Sequence, residues 1–268
     1  MMRSISRSIS RGIPQGSVAY SPATLFAAGE QGAWYDPSDM STMFQDAAGT
    51  IPVTTANQQV GLMRDKSGRG NHASQSTPSS RPILRNSGAL WYLEFDGVDD
   101  FFVTSNINFV STDKMCVFAG IAKVSDVTLG VAMELSANIG TNDGSFIVTA
   151  PSGSASASLS VGFKGTTRKD RTSPLTYAAP VTVVLSGDAD IAAGSTRLRL
   201  NGVTVASDTS GLGTGGFGNL PLYIGRRGGT TLPFKGYIAG IIIRGATTDT
   251  GLTASSEAYM AIKSGVTL

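Results

Sequence analysis

The chain has 268 residues, 41% of them hydrophobic and 15% charged, with a formal net charge of +2 at pH 7. That length fits one large domain with extensions, the near-neutral balance supplies no basic field for nucleic acid, and no apolar run is long enough to span a membrane. The lone cysteine, Cys116, excludes an internal disulfide, and the lone histidine, His72, removes Cys/His zinc sites and most triad chemistry.

Residues 1–30 do not read as part of a globular core. Arg3, Arg7 and Arg11 alternate with Ile5, Ile9 and Ile13 in a serine-rich repeat, and no acidic residue appears before Glu30. Pro14, Gly16 and Pro22 forbid a long helix. A period of four matches neither a strand nor a sustained heptad. Two readings stand: a solvated tail, and an assembly arm that buries its isoleucines on a neighbouring subunit. The segment also lacks the apolar core of a secretory signal. Expression in a reducing cytosol, or assembly there into something larger, is therefore expected.

Trp34 and Tyr35 read as a first strand ended by Asp36-Pro37, and Ser38 to Phe44 as one short helical turn. Met63 to Ala73, with two glycines among polar residues, is a loop. Leu90 to Val103 reads as a β-hairpin turning at Asp96-Gly97. The loop Asp65-Lys-Ser-Gly-Arg-Gly-Asn-His-Ala73 followed by Leu93-Glu-Phe-Asp-Gly-Val-Asp-Asp100 resembles the opening segment of concanavalin A-like jelly-roll domains of the laminin-G/pentraxin type. Those often carry D-x-S-G-x-G-N-x-A and then L-x-F-D-G-x-D-D. The string from Trp34 to Asp46 further resembles the W-x-D-P-S-D-x-S-T-x-F-Q-D of many phage-encoded members. The resemblance implies an all-β, concanavalin A-like jelly-roll sandwich over residues 31–268, behind an extended N-terminal arm of residues 1–30 and ahead of a short C-terminal helix.

Beyond Val103, turn residues separate strands expected at 114–123, 128–135, 145–150, 155–163, 181–186, 197–200, 203–206, 222–224 and 237–244. Leu198 to Val205, with Asn201-Gly202 at the turn, is the clearest hairpin. Ile238 to Ile243 is apolar on both faces, as a central strand would be. Cys116 sits in one such apolar run and reads as a buried structural thiol. Near the end, Thr253 is expected to cap a helix with Glu257 early and Lys263 late, stopped by Gly265, with Tyr259, Ile262 and Val266 on the sheet.

Three chemistries could draw on these elements. Glu94-Phe-Asp-Gly-Val-Asp99 approaches the paired-carboxylate pattern of laminarinase-type glycosidases, but Asp99 is too short and Gly97 breaks the strand, so catalysis is not expected. No cofactor is required by the sequence; calcium is the one these oxygen donors suit, with Asp65 and Asp99 as ligands from a set that includes Asp36, Asp39, Asp96 and Asp100. A sugar platform could draw on Trp34, Trp91, Tyr92, Tyr177 or Phe217, although such aromatics usually fill a core. Arg226-Arg227 and Arg168 to Arg171 read as solvated loop tips, with contact to an acidic neighbour in an assembly as the alternative.

The resemblance implies a non-enzymatic virion structural protein of a tailed phage, with the virion as its location after assembly in the host cytoplasm. A tail fibre, collar or baseplate component with a glycan-binding role is expected. The alternatives are a capsid decoration or head-fibre protein and a free carbohydrate-binding module. Expected partners are other virion proteins through the arm, further copies of the chain and a host surface glycan, with no nucleic acid or membrane.

Overall fold

Turn residues at short intervals break an alternating apolar and polar chain into strands too short to fold singly, so they must pair and stack. The computed structural model describes residues 20–268. It begins with a 3-10 turn, Pro22–Phe26, followed by β1 (Gly32–Tyr35), β2 (Met43–Phe44), β3 (Leu62–Met63), β4 (Ala73–Ser74), β5 (Ile83–Ser87) and β6 (Leu90–Asp96). The middle strands are β7 (Phe102–Asn108), β8 (Lys114–Lys123), β9 (Val131–Leu135), β10 (Ser145–Thr149), β11 (Ser160–Lys164) and β12 (Arg168–Thr172). The chain closes with β13 (Val181–Asp190), β14 (Ser195–Leu200), β15 (Val203–Asp208), β16 (Asn219–Ile224), β17 (Lys235–Arg244) and α1 (Thr250–Ser264). The arm residues Arg3, Ile5, Arg7, Ile9, Arg11 and Ile13 lie outside the described residues.

The strands form two antiparallel sheets. The helix-side sheet runs β15-β14-β13-β8-β17-β6-β5, with β1 added along the second half of β17. The far sheet runs β12-β11-β10-β9-β16-β7-β4-β3-β2. Alternation along β8 shows how the layers separate. Met115, Val117, Ala119 and Ile121 enter the core between the sheets, while Cys116 and Phe118 face outward under α1. Burial pushes the Cys116 thiol up to about 11, which leaves it inert. β17 is the central strand its composition implies: Ile241 and Ile243 fill the inner core and Ile242 the outer one, each burial contributing about 1.5–3 kcal/mol. The chain is therefore an all-β jelly-roll sandwich with one short C-terminal helix.

Four local expectations need correction. Asp96-Gly97 is a left-handed turn, with Gly97 at φ 77°, but it does not close a hairpin. β6 belongs to the helix-side sheet and β7 to the far sheet, so the turn is an arch between layers. The hairpin partner of β6 is β5, paired from Ser87↔Leu90 to Ile83↔Glu94. Arg168 to Arg171 is an edge strand paired with β11, not a loop tip. The helix starts earlier than expected, capped by Asp249, whose carboxylate accepts from Leu252 N, and Thr253 is buried within it. Gly265 ends it at φ 71° as expected, yet Ile262 is 75% exposed and Met260, at 0%, takes the sheet-facing place. The expected turn in Ser38 to Phe44 shrinks to Met40–Thr42, followed directly by β2.

Candidate functional site

The residues that carry the sequence resemblance build structure. Asp65 accepts from Trp34 N (2.9 Å), Ser67 N (2.8 Å), Ser67 Oγ (2.7 Å) and Asn71 N (3.0 Å), which fixes the glycine-rich loop against β1. Asn71 in turn donates to Gly32 O and accepts at its carbonyl from the Tyr35 hydroxyl. A carboxylate with four such donors has little left for a cation. Asp36 plays the matching part between β1 and α1. It accepts from Ser38, Tyr259 Oη (2.8 Å), Lys263 Nζ (3.0 Å) and Lys66 Nζ (3.5 Å). Burial alone would raise the Asp36 carboxyl; the bonds from Ser38, Tyr259 and Lys263 outweigh it and hold it low.

Asp99, the other expected calcium ligand, lies elsewhere, on the β6–β7 arch. Its carboxylate oxygen and those of Asp96 and Asp100 lie within 4.8 Å of one another, and Asp65 is not among them. Asp99 Oδ2 accepts from Ser80 Oγ at 2.7 Å, and Asp96 Oδ1 from Val98 N and Asp99 N. These are the bonds by which aspartates hold a tight turn. Asp100 is pushed up to about 6, first by burial and then by the charges of Asp96, Asp99 and Glu94, against the opposing bond from Asp96 N. Glu94 sits on β6 before the arch, paired with Arg85 Nε at 2.6 Å, while Asp99 follows Gly97. The two carboxylates do not share a strand face, as a retaining pair requires.

Most of the expected platform aromatics are packed away. Phe217 is 1% exposed, and Trp34 is covered by Tyr259 and Lys66, whose ammonium lies 4.5 Å from its ring. Trp91 and Tyr177 pack against the inter-sheet core. Tyr92 faces a cleft, and its companion is Tyr237, with ring centroids 4.8 Å apart and planes at 43°. Register explains the pairing. Glu94, Tyr237, Ala122 and Thr182 are direct neighbours across β6, β17, β8 and β13, all on the outer face of the helix-side sheet.

This cleft encloses about 200 Å³. Small residues, Gly120, Ala122 and Ala239, make its floor, and the two tyrosines make one wall. The end of α1 closes it with Lys263 and Ser264, and a Cβ on Gly120 would sit 3.0 Å from that of Ser264. Burial, then Glu94 and Tyr92, raise the Tyr237 phenol, so it stays a neutral donor. A half-buried aromatic pair beside a bound carboxylate–guanidinium couple can stack an apolar ring face and hydrogen-bond its hydroxyls. Tyr237 was missed in the sequence because it opens an apolar run whose role as central strand explains it fully.

The two basic segments also proved more than loop tips. Arg227 Nε bonds Glu134 Oε2 at 2.9 Å, and Glu134, 0% exposed, also accepts from Ile139 N. Arg171 reaches Asp208 at 3.1 Å, tying β12 to β15 of the other sheet.

No protein-family model and no curated protein matches this sequence. Solved structures do match it in shape. Domain 4 of AbnA, a GH43 extracellular arabinanase from Geobacillus stearothermophilus solved with arabinotriose, aligns at TM-score 0.56 and 13% identity over 85% of this chain and 98% of that one. The binding domain of Paraclostridial Mosquitocidal Protein 1 aligns at 0.56 and 12% identity over 75% of this chain and 49% of that one. The botulinum neurotoxin serotype G binding domain gives 0.54 and 13%, over 74% and 48%. The chain thus spans about half the length of the two toxin chains and nearly all of the arabinanase domain. At such identities the likeness shows a shared fold, the jelly-roll sandwich.

Proposed function

We propose that this chain is a non-catalytic glycan-binding domain carried by the virion of a tailed phage, as a tail component. The observation that carries the glycan reading is the Tyr92–Tyr237 pair set over a floor of small residues, with Glu94 and Arg85 beside it. That arrangement suits a neutral sugar ring, whose apolar face stacks on a tyrosine while its hydroxyls meet the charged couple. Solved domains of the same fold give support, among them the arabinanase domain in complex with arabinotriose. The virion reading rests on the phage-type string from Trp34 to Asp46 and on the Arg/Ile repeat of residues 3–13.

Two experiments test the two halves separately. A neutral-oligosaccharide array should give hits that Tyr92→Ala and Tyr237→Ala both abolish. An array without hits, or hits indifferent to both substitutions, would end the assignment to this cleft. Phage particles carrying a chain deleted for residues 2–19 should lack the protein, while gold-labelled antibody should mark the tail of wild-type particles. Label on the head would move the protein to a decoration role, and normal incorporation of the deletion would remove the arm as anchor.

A further inference from the structure

The outer face of the far sheet carries a second cleft, of about 180 Å³ and of different chemistry. Inner-facing Phe146, Val148, Val161 and Phe163 put the intervening residues of β10 and β11 on the outside. Register then lines up three hydroxyls in one row, Thr149 opposite Ser160 and Ser160 opposite Thr172, with Ser160 and Thr172 bonded at 3.2 Å. Leu129 and Leu232 form an apolar wall.

Two arginines enter this cleft, each held by an acid at Nε. Arg168 Nε is 2.9 Å from Asp170 Oδ1, and Arg227 Nε is 2.9 Å from the fully buried Glu134. Among the described residues, the terminal nitrogens of neither guanidinium have a hydrogen-bond partner. Gly162 makes room for this: a Cβ there would lie 2.1 Å from Asp170 Oδ1, so the acid that orients Arg168 lies flat on the sheet. An arginine fixed at Nε presents its outer edge as a planar pair of donors, the match for a carboxylate.

We infer that this cleft binds a carboxylate-bearing saccharide, the arginines taking the carboxylate, the hydroxyl row the ring hydroxyls and the leucine wall a ring face. The inference rests on the reading of the chain as a glycan binder but assigns a second site and a ligand class. A loop tip placed by chance would need neither a buried acid behind Arg227 nor a glycine beneath Asp170.

The test is calorimetric titration of the full chain with galacturonic acid trimer, neutral galactose trimer and sodium acetate. Wild type should bind the acidic trimer, more weakly as salt is raised. Arg168→Ala, which leaves only the exposed Asp170 unpaired, should weaken that binding about tenfold or more, whereas Tyr92→Ala should leave it intact. Arg227→Lys, which keeps a cation beside Glu134, should weaken it too. Loss in Tyr92→Ala with retention in Arg168→Ala would overturn the inference by moving the acid sugar to the tyrosine cleft. Acetate binding as tight as the trimer would overturn it by showing a bare anion site. Neutral binding without acidic binding would refute this site alone, and no saccharide binding at all would refute the glycan reading as well.

Discussion

The two outer faces of this sandwich solve one problem differently. On the helix-side sheet, α1 lays Met260 and Ala261 over Phe118, Val184 and Ile242, and beside this apolar patch the buried carboxylates of Asp36 and Glu257 are paired with Lys263 and Arg199. On the far sheet, an apolar island of Val131, Ile139 and Ile147 is small, and loops close over it through the buried Glu134 and its Arg227. The first face is sealed mainly by packing, with its buried acid pairs set beside a broad apolar patch, whereas the second has so small a patch that one buried charge pair carries the closure. A face sealed by packing tolerates loss of a polar contact at its edge. A face sealed by a buried pair depends on both members, and the same pair leaves donors facing solvent.

Breaking that pair should have the largest effect. Arg227→Ala strands the buried Glu134 charge and should cost about 3–5 kcal/mol in chemical denaturation. Adding Glu134→Gln should recover more than half of the loss. If the single variant lies within about 1 kcal/mol of wild type, the far face does not rest on the pair. On the packed side, Met260→Ala should cost about 2–4 kcal/mol through the cavity it opens under α1. Glu257 carries a shared burden, since it accepts from Arg199 at 2.7 Å and Ser186 at 2.5 Å.

Smaller effects come from the arch that joins the layers. Gly97→Val meets both a positive φ and a clash, its Cβ falling 2.6 Å from Lys235 Cβ, and should cost about 2 kcal/mol in thermal unfolding. The smallest change has a pH signature. Asp100 titrates at about 6 in the fold, above the usual carboxylate range, so the stability it lends while protonated is fully present below about pH 4 and lost as pH rises through 6. Asp100→Asn should therefore gain about 1 kcal/mol over wild type at pH 7.5 and nothing at pH 4, by denaturant midpoints. A gain independent of pH would mean the carboxylate is not the cause.

Turns were the most legible part of the sequence. Asn201-Gly202, at φ 49° and 79°, closes the hairpin of β14 and β15 as read. Asp96-Gly97 gave an equally good local signal and a wrong pairing. The dipeptide encodes a backbone reversal but not which layer the next strand joins, and that depends on β5 occupying the free edge of β6. β12 was invisible because an edge strand with exposed, charged alternate residues carries no apolar periodicity. Neither cleft was legible, since Tyr92 meets Tyr237 only through register between strands distant in sequence, and Arg168 meets Arg227 only where the loop after β16 folds over the far sheet.

Tyr20, the first described residue, bonds Ser256 Oγ at 2.6 Å and meets the edge of Tyr259, which sets it on the α1 face. The arginine cleft opens on the opposite side. With residues 1–19 as the proposed anchor and the arginine cleft as the proposed receptor, a pull applied at Tyr20 would load α1 first and not the strands that line the cleft. Under that proposal the chain bears tension on one face while the opposite face keeps its shape.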